Sequence, residues 1–230
     1  MNYFAHGVRF IERPYFLAGT AVPDWLSVAD RRVRMRARRV APRAGGSTGV
    51  PDEVAAGVLQ HLEDDRWFHE TRAFHEVTGE MARRFRAILG PEDNFRPGFL
   101  GHVATEMLLD AVLIERRPER LDAYYAALDA IDPDEVQRAV NRMARDETHR
   151  LAPFIPLFRR AEFLRDYRTT AGIHDRLNQV LRRVRLNPLP DAAAAVLDSG
   201  RELARQRCDD LLPAERFGAV LSEKLSTQRR

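Results

Sequence analysis

The sequence predicts an all-α fold, a single-domain bundle of about eight to nine helices. Apolar residues recur along most of the chain at the spacing of amphipathic helices. Proline followed by two acidic residues marks two expected helix starts, Pro51-Asp52-Glu53 and Pro133-Asp134-Glu135. No run alternates cleanly between apolar and polar residues, and no Asn-Gly or Asp-Gly pair indicates a hairpin, so strands are not expected.

Prolines and glycines divide the first half of the chain into four predicted helices. They are Tyr3–Ile11, a helix from Pro23 through the arginines of 31–39, a long helix from Pro51 and a stretch that ends at about Leu89. Between the second and the third, the small residues of 41–50 indicate a loop. Pro14 is expected to end or bend the first helix, and Gly90-Pro91 is expected to stop the fourth.

The second half of the chain is predicted to contain further helices and a tail. The expected starting points of these helices are Pro97, Pro118, Pro133, Arg159, Ile173 and Asp191. The helix from Pro133 is expected to run as far as the break formed by Pro153 and Pro156. We therefore expect one helical domain over residues 1–212 and a partly flexible tail over 213–230.

The composition is that of a soluble globular protein, with 44% hydrophobic and 31% charged residues. Cys208 is the single cysteine, which excludes an intrachain disulfide and a cysteine-rich zinc site. No apolar run approaches the ~18 residues of a membrane span, and the N-terminus lacks the basic and then apolar order of a signal peptide. We expect a cytoplasmic protein without a membrane span.

Two triplets of metal-ligand residue types occur at helical spacing. They are His61, Asp65 and His69, and then His102, Glu106 and Asp110. A step of four residues advances a side chain by only about 40° around a helix, so each triplet lines one stripe. If the two stripes face each other, six nitrogen and oxygen donors converge on one spot. Imidazole with carboxylate suits Zn, Mn or Fe, so we expect divalent metal, with two ions.

The surroundings of the second triplet strengthen this interpretation. The triplet interrupts an otherwise apolar helix, and a buried imidazole or carboxylate needs a partner or a metal ion. Asp65, Glu106 and Asp110 are the candidate catalytic residues, with Asp110 either orienting a ligand or acting as general base. The alternative is that charged residues of a surface helix fall four apart by chance.

Two further residues, His6 and Asp24, are candidate ligands on weaker grounds. His6 lies in an apolar, aromatic segment, where it is either a satisfied core histidine or a ligand. Asp24 follows a proline and is either a helix N-cap or a ligand. Spacing alone leaves both alternatives open.

Positive charge is almost entirely arginine, since Lys224 is the only lysine in a chain of net charge +3 and pI of about 9.4. The densest run contains Arg31, Arg32 and Arg34. Because guanidinium groups bind phosphate and carboxylate through two parallel hydrogen bonds, these three are candidates for binding a phosphorylated substrate or an acidic protein. A solvated helix face is the alternative, and no nucleic-acid partner is expected.

Several segments occur in an order that a known protein family shares. They are Met1-Asn2-Tyr3-Phe4-Ala5-His6, Leu17-Ala18-Gly19-Thr20 leading to Asp24, Val54–His61 with Asp65, Gly98-Phe99-Leu100 to Glu106, and Phe163-Leu164 with Tyr167, Leu177 and Leu181. Together these segments resemble the bacterial acyl carrier protein phosphodiesterases, over residues 1–185. That family is all-helical and similar to the metal-dependent phosphohydrolases that use His-Asp pairs.

The resemblance implies a divalent-metal phosphodiesterase. The best-known members of the family cleave the phosphopantetheine arm from acyl carrier protein, which makes that protein a possible partner. By position, the family's motif residues are matched by His6, Asp24, His61 and Asp65. The resemblance therefore adds His6 and Asp24 to the expected metal ligands.

Departures from the family pattern affect the expected metal and substrate. His69 and His102 stand where the family has acids, and the additional histidine favours zinc over manganese or magnesium. The leading hypothesis is a hydrolase of phosphoric esters that uses these ligands to activate water. The alternatives are a zinc phospholipase C-like or nuclease-like helical hydrolase, and a non-catalytic protein that binds a structural metal or a di-iron pair. The oligomeric state is left open.

Overall fold

The computed structural model describes residues 1–44, 49–90 and 96–218. Within these ranges the chain forms twelve α-helices, three 3-10 helices and no strand, which confirms the all-α class. The α-helices are α1 (Tyr3–Gly7), α2 (Pro14–Ala29), α3 (Ala37–Val40), α4 (Val50–Glu70), α5 (Arg72–Ile88), α6 (Arg96–Arg116), α7 (Pro118–Asp129), α8 (Pro133–Met143), α9 (Leu151–Ala161), α10 (Thr170–Arg183), α11 (Ala193–Leu211) and α12 (Ala214–Phe217). The expected count of eight to nine is too low, because helices of four or five residues are too short to show a period.

The chain divides into two compact units. The first comprises Met1–Trp67 and Pro118–Arg165, and the second comprises Phe68–Arg117 and the chain from Asp166 onward. The predicted loop at 41–50 and the predicted tail at 213–230 lie partly outside the described residues, which leave out 45–48 and 219–230.

In the first unit, α2 packs against α1, α7, α8 and α9. Trp25 of α2 is fully buried and meets the ring of Phe158 edge-on, with centroids 5.3 Å apart. Phe4 of α1 meets Tyr124 of α7 in the same way, at 5.7 Å. Edge-to-face aromatic pairs of this kind add to the free energy gained from apolar burial. They fix α1 and α2, the two helices that bring His6 and Thr20 to the site described below.

Helix α2 begins earlier than predicted and contains a proline that was expected to start a helix. Pro14 occupies the first turn of α2 instead of ending a helix, and this is a favoured position for proline. Pro23 lies inside α2. Because proline has no N–H, it leaves the carbonyl of Gly19 without its usual helical donor. The prediction of a helix start at Pro23 is therefore wrong.

Most of the arginine run is not helical, contrary to the prediction. The segment 31–36 contains no helix, and α3 covers only the residues that follow it. Val33 and Met35 are buried while the residues between and around them are exposed, which is the two-residue period of extended chain. The apolar residues of this run therefore lack the 3.6-residue period that a helix needs.

Prolines also misled the prediction around α8 and α9. Helix α8 ends at Met143, and the side chain of Asn141 then closes a loop by accepting from the backbone N–H of Thr148 at 2.9 Å. Pro153 and Pro156 lie inside α9 instead of interrupting the pattern. Pro153 lies in the first turn, where a proline loses no hydrogen bond because the N–H groups there have no helical acceptor. Pro156 lies beyond the first turn, inside the helix. Arg159, an expected helix start, also lies within α9.

In the second unit, α5, α6 and α11 pack against one another, and α10 packs against α6 and α11. Gly101 of α6 touches α5 so closely that a Cβ there would lie 2.6 Å from the carbonyl oxygen of Thr78. Gly200 of α11 is equally tight, since a Cβ would lie 2.6 Å from the methyl group of Met81. Glycine is therefore required at Gly101, where the close atoms belong to the backbone, whereas at Gly200 they are the flexible ends of Met81 and Leu108.

Among the described helices, α6 alone is long and apolar enough to cross a membrane by length and composition. Its most apolar window has a mean hydropathy of 1.3, and 72% of that window is buried within the protein. A core helix meets the same criterion, so this is weak evidence for a span.

Candidate metal centres

The candidate ligands form two groups, each with two histidines and one carboxylate. The first triad is His6, His61 and Asp65, and the second triad is His69, His102 and Glu106. Within each triad, one ligand atom from each residue lies within 4.8 Å of the others. His61 and Asp65 stay together, as do His102 and Glu106, but His69 groups with His102 and Glu106 and not with the other two members of its own sequence triplet. Helix α4 instead contributes ligands to both triads, and each triad belongs to one unit.

The first triad joins α1 to α4. His6 lies on α1, and His61 and Asp65 lie one turn apart on α4. The two imidazole rings stack with centroids 3.9 Å apart and planes inclined by 22°. Nε2 of His6 lies 3.2 Å from Oδ1 of Asp65, and Nε2 of His61 lies 3.3 Å from Oδ2 of the same carboxylate. Both imidazoles therefore direct a nitrogen at one carboxylate.

The orientation of His61 is set by a backbone contact with α2. Nδ1 of His61 lies 2.8 Å from the carbonyl oxygen of Thr20. A carbonyl oxygen only accepts, so Nδ1 carries a proton and donates. A proton on Nε2 can then be donated to Asp65, and a cation that displaces this proton finds a lone pair on Nε2. Metal-ligating histidines are commonly held in this way, with one nitrogen bonded to a carbonyl and the other facing the ion.

Two glycines allow α2 to come close enough for this contact. A Cβ on Gly57 would lie 2.1 Å from the carbonyl oxygen of Phe16 and 2.8 Å from Cα of Gly19. A Cβ on Gly19 would lie 2.4 Å from the carbonyl oxygen of Val54. No side chain fits between the helices at this crossing, so the backbones touch.

His6 is fully buried, and its ring nitrogens lack a hydrogen bond. Neither Nδ1 nor Nε2 forms one of acceptable geometry with the part of the chain that the structure describes. Leaving a buried polar group unsatisfied costs about 1–3 kcal/mol. A cation between Nε2 and Asp65 would satisfy the ring, so this residue fits a metal ligand better than a satisfied core histidine.

Asp64 and its partners, which were not identified as site residues from the sequence, lie behind His6. One oxygen of Asp64 is 3.6 Å from Nδ1 of His6, and the carboxylate is nearly buried. Arg9 forms an ion pair with Asp64, and the side-chain amide of Gln60 donates to it at 2.8 Å. The four-residue step from Gln60 to Asp64 is visible in the sequence, but the contact with Arg9 is not, because the two residues lie far apart in the chain.

Charges within the first unit shift the pKa values of the acids at the site. Burial raises the pKa of Asp65, but the nearby imidazoles of His6 and His61 and the ammonium of Met1 outweigh it and hold the pKa far below its usual range. The Met1 amino group donates to Oδ1 of Asp65 at 2.7 Å. Burial lowers the pKa of His61, yet the hydrogen bond that its ring donates to Asp65 and the charge of Asp24 raise it overall. Asp65 is therefore ionised throughout the ordinary pH range.

Asp24 lies beside the first triad without being one of its three members. Burial raises the pKa of Asp24, and the charges of His61 and His6 partly offset that effect. Its carboxyl group is thus close enough to feel both imidazoles. No side-chain N-cap is formed, because Asp24 lies inside α2 and not at its start.

The second triad joins the last turn of α4 to α6. Oε1 of Glu106 lies 3.0 Å from Nε2 of His69 and 3.2 Å from Nε2 of His102. The two imidazole centroids are 4.9 Å apart. Burial raises the pKa of Glu106, but a nearby positive charge and then hydrogen bonds with His102 and His69 outweigh it and lower the pKa well below its usual value. One carboxylate oxygen therefore faces both imidazoles.

Asp110, the last member of the second sequence triplet, is fully buried on α6. It lies one turn beyond Glu106 and is not a member of either triad. A buried carboxylate of this kind has a partner within the fold. The position of Asp110 does not support its predicted role as a ligand.

The three candidate phosphate-binding arginines have different surroundings. Arg32 donates to Asp30 through Nε at 3.1 Å and through its terminal nitrogen at 3.2 Å. Arg31 donates through Nε to the carbonyl oxygen of Ser27 at 3.1 Å. Arg34 is exposed. Since Asp30 already holds the fork of Arg32, Arg31 and Arg34 are better placed to contact an anion.

No family model, curated protein or solved structure matches this chain. Its function must therefore be inferred from the geometry of the two triads.

Proposed function

We propose that this chain is a metal-dependent hydrolase of phosphoric esters, with a divalent ion held by the first triad. The observation that carries the proposal is the pair of contacts made by His61. Its Nδ1 is fixed by the carbonyl of Thr20, and its Nε2 is directed at Asp65. A histidine held in this way has a metal-ligating lone pair that faces a carboxylate.

The donor set fits zinc or a similar borderline ion. Two imidazole nitrogens and one carboxylate are the protein ligands of several catalytic zinc sites, which keep a further position open. His6 and His61 are buried, whereas a third of the Asp65 side chain is exposed, so solvent reaches the site from the side of Asp65. When bound, such an ion polarises a phosphoryl oxygen and lowers the pKa of a water molecule towards neutrality.

The residues of the chain supply position and charge for this reaction. Thr20 and the stacked ring of His6 fix the plane of His61, so little reorganisation accompanies metal binding. Asp65 contributes a full negative charge because its pKa is far below neutrality. Asp24 adds a second carboxylate next to the triad and is the candidate fourth ligand, as the family resemblance implies.

Phosphorylated substrates are proposed because an arginine-rich segment belongs to the same unit as the first triad. Arg31 and Arg34 are exposed there, and guanidinium groups bind phosphate and carboxylate well. Acyl carrier protein, an acidic protein that carries a phosphodiester, is the substrate that the resemblance suggests. The second triad, which was expected to hold the second ion of the same centre, is considered separately below.

The proposal is tested by metal content and turnover of the purified full chain. Metal-free protein is loaded with zinc or manganese, the bound metal is counted by mass spectrometry, and hydrolysis of bis(p-nitrophenyl) phosphate is measured. We expect metal-stimulated turnover that H61A and D65N abolish. The matched control is H149A, because His149 is an exposed histidine of the same unit. Absence of turnover with any divalent metal, or equal turnover in H61A and H149A, would refute the proposal.

A substrate panel separates this proposal from its closest rival. Holo acyl carrier protein, nucleotides and phospholipid vesicles are each incubated with the enzyme in the activating metal. Release of phosphopantetheine alone supports a carrier-protein phosphodiesterase. Release of phosphorylated headgroups or nucleotides would instead support the phospholipase-like or nuclease-like alternative.

A further inference from the structure

We propose that the second triad binds a zinc ion of its own, with all three of its protein ligands in the second unit. This inference goes beyond the proposed hydrolytic centre, because the first triad needs none of the three ligands of the second triad. His69, His102 and Glu106 all fall within the range Phe68–Arg117. The site therefore forms from one compact unit by itself.

The donors of the second triad converge on one point. Both histidines use Nε2, and both Nε2 atoms approach the same oxygen of Glu106, at 3.0 and 3.2 Å. Two imidazoles and a carboxylate again give the ligand set of catalytic zinc sites, with bonds of about 2.0–2.2 Å. A small closure of these distances would place all three donors around one ion. The same geometry without metal would be a carboxylate clamped by two imidazole N–H groups.

Packing holds the two imidazoles in this arrangement. Phe74 of α5 is nearly buried and meets the rings of His69 and His102 edge-on, with centroids 4.9 and 5.1 Å away. The close contact of α5 with α6 at Gly101 fixes the backbone next to His102. Because the rings are pre-oriented, metal binding requires little ordering of side chains.

Exposure distinguishes this site from the first triad. The side chains of His69 and His102 are 34% and 42% exposed, whereas those of His61 and His6 are 3% and 0% exposed. Structural zinc sites have four protein ligands and are closed to solvent. Three ligands at an exposed position instead leave room for water or a small anion. We expect the second triad to hold an exchangeable zinc ion with such a ligand completing its coordination.

Zinc stoichiometry of single variants tests this inference. The full-length chain, freed of metal, is titrated with zinc chloride and the bound ions are counted after gel filtration. We expect two ions in the wild type, one each in H102A and H61A, and none in the double variant. The matched control is H75A, because His75 is an exposed histidine of the same unit. Equal stoichiometry in H102A and the wild type would overturn the inference.

The same titration separates this inference from the proposed function. If the wild type and H61A each bind one ion and H102A binds none, the second triad is a zinc site and the first triad is not. One ion in the wild type and in H102A, with none in H61A, would do the reverse. In H61A only the second triad can bind zinc, and in H102A only the first triad can. Because solvent reaches the second triad, a chelator should remove zinc faster from H61A than from H102A. Equal release rates would contradict an open, exchangeable site.

A conservative variant guards against loss of folding. Glu106→Gln keeps the size of the side chain and removes its charge, and circular dichroism checks that helicity is unchanged. We expect E106Q to weaken zinc binding by more than the roughly 10–100-fold that loss of an orienting partner costs. Cobalt loaded into H61A should give visible absorption bands that E106Q in the same background loses. Unchanged bands would show that Glu106 is not a ligand.

Discussion

Nδ1 of His61 lies 2.8 Å from the carbonyl oxygen of Thr20, and this contact ties α4 to α2 at the first triad. It depends on the crossing of two glycines, one on each helix, where backbone atoms touch. Local sequence thus determines the chemistry of the site in three steps. Small residues allow close approach, close approach brings a carbonyl to the ring, and the carbonyl selects the tautomer that presents Nε2 to Asp65.

The first prediction concerns the glycine crossing. In G57A the new methyl group would lie 2.1 Å from the carbonyl oxygen of Phe16, so α2 and α4 must move apart. We expect a loss of about 1–3 kcal/mol in the free energy of unfolding, the usual cost of overpacking. Separation of the helices should also withdraw the Thr20 carbonyl from His61 and weaken zinc binding. Denaturant unfolding and zinc titration measure the two effects.

The control for G57A is another glycine-to-alanine change. Gly79 lies inside α5, and a Cβ there meets nothing within 4 Å. G79A should therefore stabilise the protein by about 0.5–1 kcal/mol, because alanine is the better helix former. If G57A and G79A had the same effect, the close approach at Gly57 would have no energetic significance.

The second prediction concerns Asp64, which lies behind His6. Asp64→Asn should lower zinc affinity at the first triad by roughly 10–100-fold, because the charged group facing Nδ1 of His6 is lost. Glu63→Gln is the matched control, since Glu63 precedes Asp64 and pairs with Arg66 on the exposed face of α4. Isothermal titration with zinc compares the two variants. Equal affinities would show that Asp64 has no orienting role.

Helical spacing anticipated part of the site. The step from His61 to Asp65 and the step from His102 to Glu106 each place two ligands on one face, and the structure keeps each pair together. His6, which was added to the candidates by the family resemblance, stacks against His61. Thr20 could not be identified in this way, because it acts through its carbonyl, which is present in every residue.

Spacing could not show how the ligands would be divided. His69 continues the stripe of His61 and Asp65 on α4, yet it pairs with Glu106 of α6. This division depends on how far each helix extends and which neighbour it meets, and neither is encoded in a four-residue period. Prolines misled the helix boundaries for a related reason, since Pro23 and Pro156 are tolerated inside helices that tertiary packing stabilises.

The third prediction concerns Arg32 and the acid stability of the first unit. Hydrogen bonds from Arg32, and then from Thr148, lower the pKa of the buried Asp30. A lowered pKa adds stability above the ordinary aspartate pKa of 3.8, and this stability is lost as the pH falls through the lower value in the folded state. R32A should therefore reduce Tm at neutral pH and have little effect in strong acid.

The exposed neighbour Arg34 supplies the control for R32A. It lies in the same segment, and R34A should leave Tm unchanged at both pH values. Thermal unfolding followed by circular dichroism measures all three proteins. The ion pair is not the cause if R32A and the wild type differ in Tm by as much in acid as at neutral pH.

The fourth prediction concerns Cys208, which is buried on α11. Burial raises the pKa of the thiol to about 11, and Arg116 only partly offsets this effect. At about pH 8 the thiolate fraction should be lower than that of an ordinary cysteine by a factor on the order of 10². We expect iodoacetamide to label the native protein far more slowly than the urea-unfolded protein. Similar labelling rates in the two states would show that the thiol is accessible.

The most direct test of the metal centre is an anomalous difference map from crystals of the full chain grown with zinc, recorded at the zinc absorption edge. We predict a peak at about 2.0–2.2 Å from an imidazole nitrogen of His6, from Nε2 of His61 and from a carboxylate oxygen of Asp65. If no peak appears there, and Asp65 remains bonded to the amino group of Met1 and to the two imidazoles, the first triad is a hydrogen-bonded cluster and not a metal site.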